Sequence, residues 1–365
     1  MSMVEWKELG QIANLVRGRV ISKDYIRDNE GDYPVYSSQT ANDGVMGKIN
    51  SFMFDGDYLT WTTDGAYAGT VFRRKGKFNI TNVCGLIDII DDDFNQDFLY
   101  YWLSLTAKGY VLEGMGNPKL MSNVAANIRI PIIPLLSQKL IVTQLNTFTS
   151  SIENLKEQIS QRRKQYEHYR DQLLDLEGKE GVEIKTLGDI VAFRNGKGHE
   201  KSISETGKYI VVNSKFISSS GEVKKYSNEQ LCPLYMDDIL MVMSDLPNGK
   251  ALAKCFVVDS DDKYTLNQRI GAFHVLDESI LVSRYLYYKL NRNIQLLKFD
   301  NGIDQTNLRK GDILSIHIPI PSFYEQQRIV DILDKFEASI QNLEAQLSLR
   351  EKQYEYYRNK LLTFE

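Results

Sequence analysis

Two stretches of the chain place apolar side chains at the spacing of a long helix. In the first, intervals of three and four positions alternate through Leu145, Phe148, Ile152, Leu155, Ile159, Tyr166, Tyr169, Leu173 and Leu176. In the second, they alternate through Leu333, Phe336, Ile340, Leu343, Leu347, Tyr354, Tyr357, Leu361 and Phe364. A 3.5-residue repeat sustained over this length keeps one seam toward a partner helix and predicts a coiled coil. The alternative is that each helix packs only on its own domain.

Each pattern has one missing apolar position, and an arginine occupies it in both cases. These residues are Arg162 and Arg350. They are either a polar layer that sets the register of the helices or surface residues whose stems lie along the apolar seam. The sequence leaves both interpretations open.

The two helical stretches are copies of one another. Residues 138–177 and 326–365 are identical at 21 of 40 positions when they are aligned with an offset of 188. This similarity exceeds what two unrelated helices share and indicates an internal repeat.

The repeat extends upstream of both helices. IRIPIIP at Ile128–Pro134 corresponds to IHIPIP at Ile316–Pro321, and EWKELGQI at Glu5–Ile12 corresponds to EIKTLGDI at Glu183–Ile190. In the same register, Gly18 corresponds to Gly196. Each half therefore has a Leu-Gly opening segment, a middle region, an Ile-Pro closing strand and a long helix.

The middle regions differ in sequence but have the same character. Short β-rich runs alternate with Gly, Asn and Asp turns, and helical patches follow at Gln96–Leu105 and Ser283–Leu297. We predict an α+β fold with two α/β domains, separated by an antiparallel two-helix coiled coil and related by an internal pseudo-twofold duplication. The predicted limits are 1–137 and 179–325 for the domains, and 138–178 and 326–365 for the helices.

The antiparallel direction follows from reach. Forty helical residues span about 60 Å, whereas the six residues Gly178–Glu183 extend to only about 20 Å. The second domain must therefore begin near the far end of the first helix, and a domain of this size is too compact to return the chain along the whole rod. We expect the two domains at opposite ends of the helix pair.

Composition excludes several classes of protein. An apolar fraction of 42% and a charged fraction of 25% are typical of globular proteins. The first residues, MSMVEWKELG, show no basic segment followed by an apolar stretch, and no apolar run is long enough to span a bilayer, so a cytoplasmic protein without a membrane is expected. The three cysteines and four histidines show no spacing typical of a disulfide framework or a metal site. The net charge of −4 weighs mildly against nucleic-acid binding.

Motifs of catalysis are absent from the sequence. There is no Pro-Pro pair of the kind that a DNA methyltransferase motif requires, and no Gly-Lys pair is followed by Ser or Thr as in a phosphate-binding loop. We expect no enzymatic activity, no metal and no cofactor of its own.

The ordered double occurrence of these segments resembles the DNA-specificity subunits of type I restriction-modification systems. The resemblance covers essentially the whole chain and consists of the W/I-K-x-L-G-x-I opening, the I-x-I-P closing strand and the Q-x-x-I-V start of the helix. It implies two target-recognition domains, each reading one half of a split double-stranded DNA sequence. It also implies two methyltransferase (M) subunits that carry S-adenosylmethionine, and restriction (R) subunits as partners.

Candidate DNA contacts lie in three groups. Polar loops before the closing strands, Gly114–Leu120 and Asn301–Asp312, offer amide and cationic groups for base edges or phosphates: Asn117, Lys119, Gln305, Asn307, Arg309 and Lys310. Basic clusters suited to phosphate are Arg73, Arg74, Lys75 and Lys77 on an expected hairpin, with Lys224 and Lys225 in the second half. Cations just past the Leu-Gly segments are Arg17, Arg19, Arg194, Lys197 and His199. Ordinary turn residues and a solvated basic face are the alternative explanations.

Two other functions compete with DNA specificity. A structural adaptor could use the same rod and domains to assemble protein partners without reading DNA. A methyltransferase or nuclease of unusual sequence is the third possibility.

Overall fold

The computed structural model describes residues 4–113, 116–199, 201–247 and 249–364. The chain divides into two compact units, Met1–Lys156 with Ala345–Glu365, and Glu157–Glu344. Each unit contains one domain, the beginning of the long helix that follows it, and the end of the other long helix. This is the composition expected of a duplicated chain.

The first unit is built around a six-stranded sheet. The unit as a whole has eight described strands: β1 (Glu5–Glu8), β2 (Ala13–Arg17), β3 (Glu30–Tyr36), β4 (Val45–Ile49), β5 (Phe54–Thr62), β6 (Val71–Ile80), β7 (Cys84–Ile89) and β8 (Arg129–Ile132). Its helices are α1 (Leu9–Ile12), α2 (Lys23–Asp28), α3 (Gln96–Thr106), α4 (Ser122–Ala125) and the start of α5 (Leu135–Leu174). The sheet order is β2-β7-β5-β6-β3-β4, antiparallel except for the parallel β3-β6 pair.

Side chains alternate between the two faces of the sheet along each strand and form two apolar layers in this domain. Leu59 and Trp61 on β5 pack with Phe98 and Leu99 of α3 on one face of the sheet. On the other face, Leu86 belongs to a separate apolar cluster. Successive residues of a strand point to opposite faces, so β7 contributes Leu86 to one layer and Ile87 to the other.

The second unit has the same core with different additions. Its strands are β9 (Glu183–Thr186), β10 (Val191–Asn195), β11 (Tyr209–Val212), β12 (Tyr226–Ser227), β13 (Ile239–Val242), β14 (Ser244–Asp245), β15 (Cys255–Val257), β16 (Tyr264–Leu266), β17 (Ile270–Val275), β18 (Thr306–Asn307) and β19 (His317–Ile320). Its helices are α6 (Leu187–Ile190), α7 (Ser214–Ser218), α8 (Ser283–Leu290), α9 (Ile294–Leu297), α10 (Lys310–Leu314) and the start of α11 (Phe323–Leu361).

Sheet topology shows which part of the domain is repeated. The order β10-β17-β13-β15 in the second domain corresponds strand for strand to β2-β7-β5-β6 in the first. The first domain extends this sheet with β3 and β4, whereas the second forms a separate sheet, β12-β11-β16. The predicted common frame with unlike middles is therefore a shared four-stranded core with different appended strands.

The repeated opening and closing segments are hydrogen-bonded to each other. β1 pairs antiparallel with β8, and β9 pairs antiparallel with β19. The Leu9 N–H donates to the Ile128 carbonyl at 2.8 Å, and the Leu187 N–H donates to the Ile316 carbonyl at 2.9 Å. The Leu-Gly and Ile-Pro motifs thus recur together because they form one two-stranded clasp at the base of each long helix.

The long helices pair antiparallel within each unit. In the first unit, Phe148 stacks on Tyr357 and Lys156 pairs with Glu351, so numbers rise on α5 as they fall on α11. In the second, Tyr169 stacks on Phe336. The predicted coiled coil is confirmed by these contacts. The ends of the helices also pack on the domains, since Leu361 packs against the first core and Leu173 against the second.

The predicted seam positions differ in their degree of burial. Leu145, Ile152, Ile159 and Leu333 are buried. The half-buried positions are Phe148, Leu155, Tyr166, Leu173, Phe336, Ile340, Leu343, Leu347, Tyr354 and Leu361. Tyr169 and Tyr357 are exposed although each stacks on a phenylalanine. The arginines of the gaps lie over the same phenylalanines, Arg162 over Phe336 and Arg350 over Phe148.

The three cysteines are free and buried. Burial raises the pKa of the Cys84 thiol to about 12, partly opposed by the nearby Arg74 guanidinium. The pKa of Cys255 is raised by burial alone. These thiols are protonated at neutral pH and serve as small apolar core residues.

Candidate nucleic-acid interface

In the first domain, the predicted polar loop lies against the turn that follows β5. Gly114 and Met115 of this loop are outside the described residues. The Leu120 N–H donates to the Thr63 carbonyl at 2.9 Å, and the Gly65 N–H donates to the Pro118 carbonyl at 3.0 Å. The Leu120 side chain is buried and anchors the loop.

The second domain makes the same arrangement from different residues. β18 pairs antiparallel with β14, with Asn307 opposite Ser244. The Leu308 N–H donates to the Met243 carbonyl at 2.8 Å, and the Leu308 side chain is buried. Leu120 and Leu308 are equivalent under the offset of 188. The duplication therefore preserves the same arrangement in each domain. The polar loop and the segment that follows the core strand together form what we call the polar edge.

Asp64 joins two of the candidate cations in the first domain. Its carboxylate lies 3.8 Å from an Arg17 guanidinium nitrogen and 3.7 Å from Lys119 Nζ, and it accepts a 2.6 Å hydrogen bond from the Thr63 hydroxyl. Arg17 also donates to the Asn82 carbonyl. The Lys119 side chain stays half exposed. The edge thus presents a carboxylate between two cations.

The equivalent edge of the second domain carries amide groups beside an arginine. Gln305 Nε2 donates to Ser244 Oγ at 2.8 Å, and Gln305, Asn307 and Arg309 are exposed. They line a shallow depression of about 380 Å³. Lys310, the first residue of α10, lies over the Phe193 ring. The two edges therefore share a backbone frame and differ in their donors and acceptors.

The basic cluster of the first domain lies along β6, and its members differ in accessibility. Arg73 is paired with Asp97 at 2.7 Å and lies over the Tyr100 ring. The Arg74 side chain is buried and donates to Asp43. Both arginines therefore have structural partners, and burial removes Arg74 from the surface that a phosphate could reach. Lys75 and Lys77 are exposed.

The cations after the Leu-Gly segments are likewise divided. Arg194 pairs with the buried carboxylate of Asp238, which His274 also contacts at 3.0 Å. His199 is buried, with its ring nitrogens at 2.8 Å from the Lys197 carbonyl and 2.9 Å from the Thr265 hydroxyl. Burial makes His199 a structural residue of the second domain.

The remaining candidates are accessible. Arg19 is exposed beside the Tyr25 ring. Lys197, Lys224 and Lys225 are also exposed. Exposure leaves these residues as predicted phosphate contacts.

Sequence reasoning missed the partners of the polar loops. Thr63, Asp64 and Ser244 lie next to the candidate residues only because strands distant in sequence pair in the fold. A usable signal was present in the short polar segments that come after two core strands, Thr63-Asp64 after β5 and Ser244-Asp245 after β13.

Two other kinds of site, a metal centre and a membrane-spanning helix, are not found among the described residues. No cluster of three or more His, Cys, Asp or Glu side chains there could hold a metal ion. Of the helices described, none has the length and apolar content to cross a bilayer.

Comparisons with known proteins agree on one family. A family model described as the type I restriction modification DNA specificity domain matches residues 1–162 and 179–349. A Mycoplasma pneumoniae protein named as a type I specificity subunit is 31% identical in an alignment 371 residues long, which covers 97% of this chain and 96% of that protein.

Two solved structures share the fold. The S subunit of a type I restriction-modification system from M. genitalium has a TM-score of 0.67 and 17% identity, covering 100% of this chain and 98% of that one. A chain from a study of complex assembly and conformational transition of a type I R-M system has a TM-score of 0.61 and 16% identity, covering 99% and 97%. At these identities the likeness concerns the fold alone.

Proposed function

The chain belongs to the type I restriction-modification DNA specificity family, and from this premise we propose that each of its two domains reads one half of a bipartite double-stranded DNA site. The repeated edge carries the proposal. Both domains hold a polar loop against the segment after a core strand, through equivalent backbone hydrogen bonds. The side chains on that frame differ, as two reading surfaces for two different half-sites require. An adaptor without DNA binding would not need this difference.

The side chains at each edge suit base recognition in the major groove. Lysine donates to guanine O6 and N7, a carboxylate accepts from the cytosine amino group, and Asn or Gln forms paired hydrogen bonds with adenine. Lys119 and Asp64 offer the first two chemistries in one domain. Gln305 and Asn307 offer the third in the other.

We further propose that two methyltransferase subunits dock on the helix pair. Leu136 on α5 and Tyr324 on α11 are equivalent in the repeat, and each is more than 70% exposed. Leu140 in the first unit and Phe323 in the second add to this exposed apolar surface. Exposed apolar patches mark protein interfaces, and a patch that occurs once in each unit suits two copies of one partner.

Catalysis then resides in the partners. The methyltransferase subunits hold S-adenosylmethionine and restriction subunits complete the nuclease, while this chain supplies sequence selection and no catalytic group. The partners also supply part of the phosphate contact, since the 48 Asp and Glu residues of this chain outnumber its 44 Lys and Arg residues and phosphate binding requires cations.

Point substitutions at the two edges test the reading role. Lys119→Ala removes a candidate donor from the first domain, and Asn307→Ala removes one from the second. We expect each to relax one or two base positions in one half of the methylated motif, because a good base contact contributes about 1–3 kcal/mol of discrimination. Sequencing of modified bases in cells that express the chain with its methyltransferase measures this.

Lys215→Ala, at an exposed lysine on α7 outside both edges and both long helices, is the matched control and should leave the motif unchanged. If no bipartite methylated motif depends on the gene, the proposed function is wrong. If the motif exists and neither edge variant alters it, only the location of the reading surface is wrong.

A further inference from the structure

The aromatic contacts between the long helices are the same in both units. Phe148 and Tyr357 stack with ring centroids 5.3 Å apart and an interplanar angle of 22°. Tyr169 and Phe336 stack at 5.4 Å and 28°. The offset of 188 converts Phe148 into Phe336 and Tyr169 into Tyr357, so one contact is the repeat of the other.

The arginine contacts follow the same rule. Arg162 lies 5.7 Å from the Phe336 ring centroid, and its equivalent Arg350 lies 5.9 Å from Phe148. If α5 were paired antiparallel with a second copy of itself, Phe148 would again meet Tyr169, and Arg162 would again meet Phe148. These aromatic and arginine contacts therefore do not distinguish α5 from α11 as a partner.

The ion pairs across the helices do distinguish them. Lys156 lies 3.1 Å from Glu351 in the first unit, and Arg163 lies 2.5 Å from Glu344 in the second. Under the offset of 188, Lys156 corresponds to Glu344 and Arg163 corresponds to Glu351. The repeat thus keeps both positions charged and reverses the sign, so that α5 carries the two cations and α11 the two carboxylates.

We propose that this reversal selects pairing of α5 with α11 and opposes pairing of either helix with a second copy of itself. Two copies of α5 would place Lys156 against Arg163 twice. Two copies of α11 would place Glu344 against Glu351 twice. Charges that flank a coiled-coil seam set partner choice in this way, because the wrong partner is repelled as well as less attracted.

The selection has a consequence for assembly. A helix paired with its own copy would join two identical domains, whereas pairing of α5 with α11 joins two different ones. The charge reversal therefore favours the joining of two unlike domains over the joining of two identical ones. This inference concerns helix pairing and holds independently of the DNA function proposed above.

Exposure determines how the effect should be measured. All four side chains are between 41% and 62% exposed. Exposed ion pairs contribute little individually and are screened by salt. The signal is therefore sought in combined substitutions, with all variants compared at low and high ionic strength.

Charge reversals within the full chain place like charges opposite one another, as in the two disfavoured pairings. Lys156→Glu with Arg163→Glu gives α5 the charges of α11, and Glu344→Lys with Glu351→Lys gives α11 the charges of α5. We expect each double variant to unfold at a lower urea concentration than the original chain in 20 mM NaCl, and the differences to shrink in 1 M NaCl. The fourfold variant restores opposite charges and should recover most of the lost midpoint.

Lys139→Glu with Lys164→Glu is the control for the first double variant, since it makes the same change in net charge at exposed positions of α5. It should shift the midpoint less. The inference is overturned if the control and the test variant unfold alike, or if the fourfold variant is no more stable than the two double variants. Either result would mean that the paired charges do not act on one another across the seam.

Discussion

At the scale of single residues, two glycines explain why the repeat includes Gly18 and Gly196. A Cβ added to Gly18 would lie 2.1 Å from the Ile80 carbonyl oxygen, and one added to Gly196 would lie 1.9 Å from the Asn267 carbonyl oxygen. In both domains the chain leaves the first core strand by passing directly over the backbone of another segment. Only glycine permits so close an approach.

Gly18→Ala should therefore destabilise the first domain. The added methyl group meets backbone rather than a movable side chain, so the expected loss is about 1–3 kcal/mol in the free energy of unfolding. Trp6, Trp61 and Trp102 are all in the first unit, and urea unfolding followed by tryptophan fluorescence reports on it. Gly109→Ala, whose Cβ has no heavy atom within 4 Å, should change stability by less than about 0.5 kcal/mol. Equal effects of the two substitutions would contradict this account of Gly18.

At the scale of elements, a buried glutamine fixes the start of each long helix. Gln138 Nε2 donates to the Asp93 and Ile133 carbonyls at 2.8 and 2.9 Å, and its Oε1 accepts from the Asn95 N–H at 2.7 Å. Gln326 makes the corresponding three hydrogen bonds, with Ile280, Pro321 and Val282 as partners. The Q-x-x-I-V motif thus ties α5 to α3 and α11 to α8.

Gln138→Leu tests this role. It leaves two carbonyls and one N–H without a partner in the interior, and each unsatisfied buried group costs about 1–3 kcal/mol. We expect a loss of about 3 kcal/mol or more in unfolding free energy, measured by urea denaturation. Gln144→Leu on the exposed side of the same helix is the matched control. A Gln138→Leu chain as stable as that control would rule out the anchoring role.

The elements differ in how far the sequence reveals them. The seam from Leu145 to Leu361 follows from spacing alone, because a heptad is a local pattern. The structure sets α5 at Leu135–Leu174 and confirms the helix at Gln96, but it interrupts the helix expected at Ser283–Leu297 at Asn291–Asn293. Strand partners such as Val35 and Asn79 are far apart in sequence, so no local pattern indicates that β3 and β6 pair.

The candidate site was predictable only in part for the same reason. Asn117, Lys119, Gln305 and Asn307 were found from their position before the closing strands. The residues that lie next to them in the fold could be identified only once the strand pairing was known. The burial of Arg74 and His199 could not be predicted either, because the sequence does not show which residues of other segments pack around a given side chain.

At the scale of the whole molecule, the chain carries one frame twice and two different surfaces upon it. The shared core strands, the clasp of opening and closing segments and the glutamine anchors repeat closely. The appended strands and the side chains at the polar edges do not. Such a division allows the recognised half-site to change in one domain while the parts that hold the helices remain the same. The placement of the two domains at opposite ends of the helix pair stays a prediction.

Exchange of one domain's variable region tests this division most directly. Residues 20–125 contain β3 to β7, α3 and the first polar edge, and they exclude the clasp and both long helices. Replacing them with the corresponding segment of a relative of different specificity, followed by sequencing of modified bases, should change one half of the methylated motif and leave the other half intact. Changes in both halves, or in neither, would contradict the conclusion that each domain reads its own half-site.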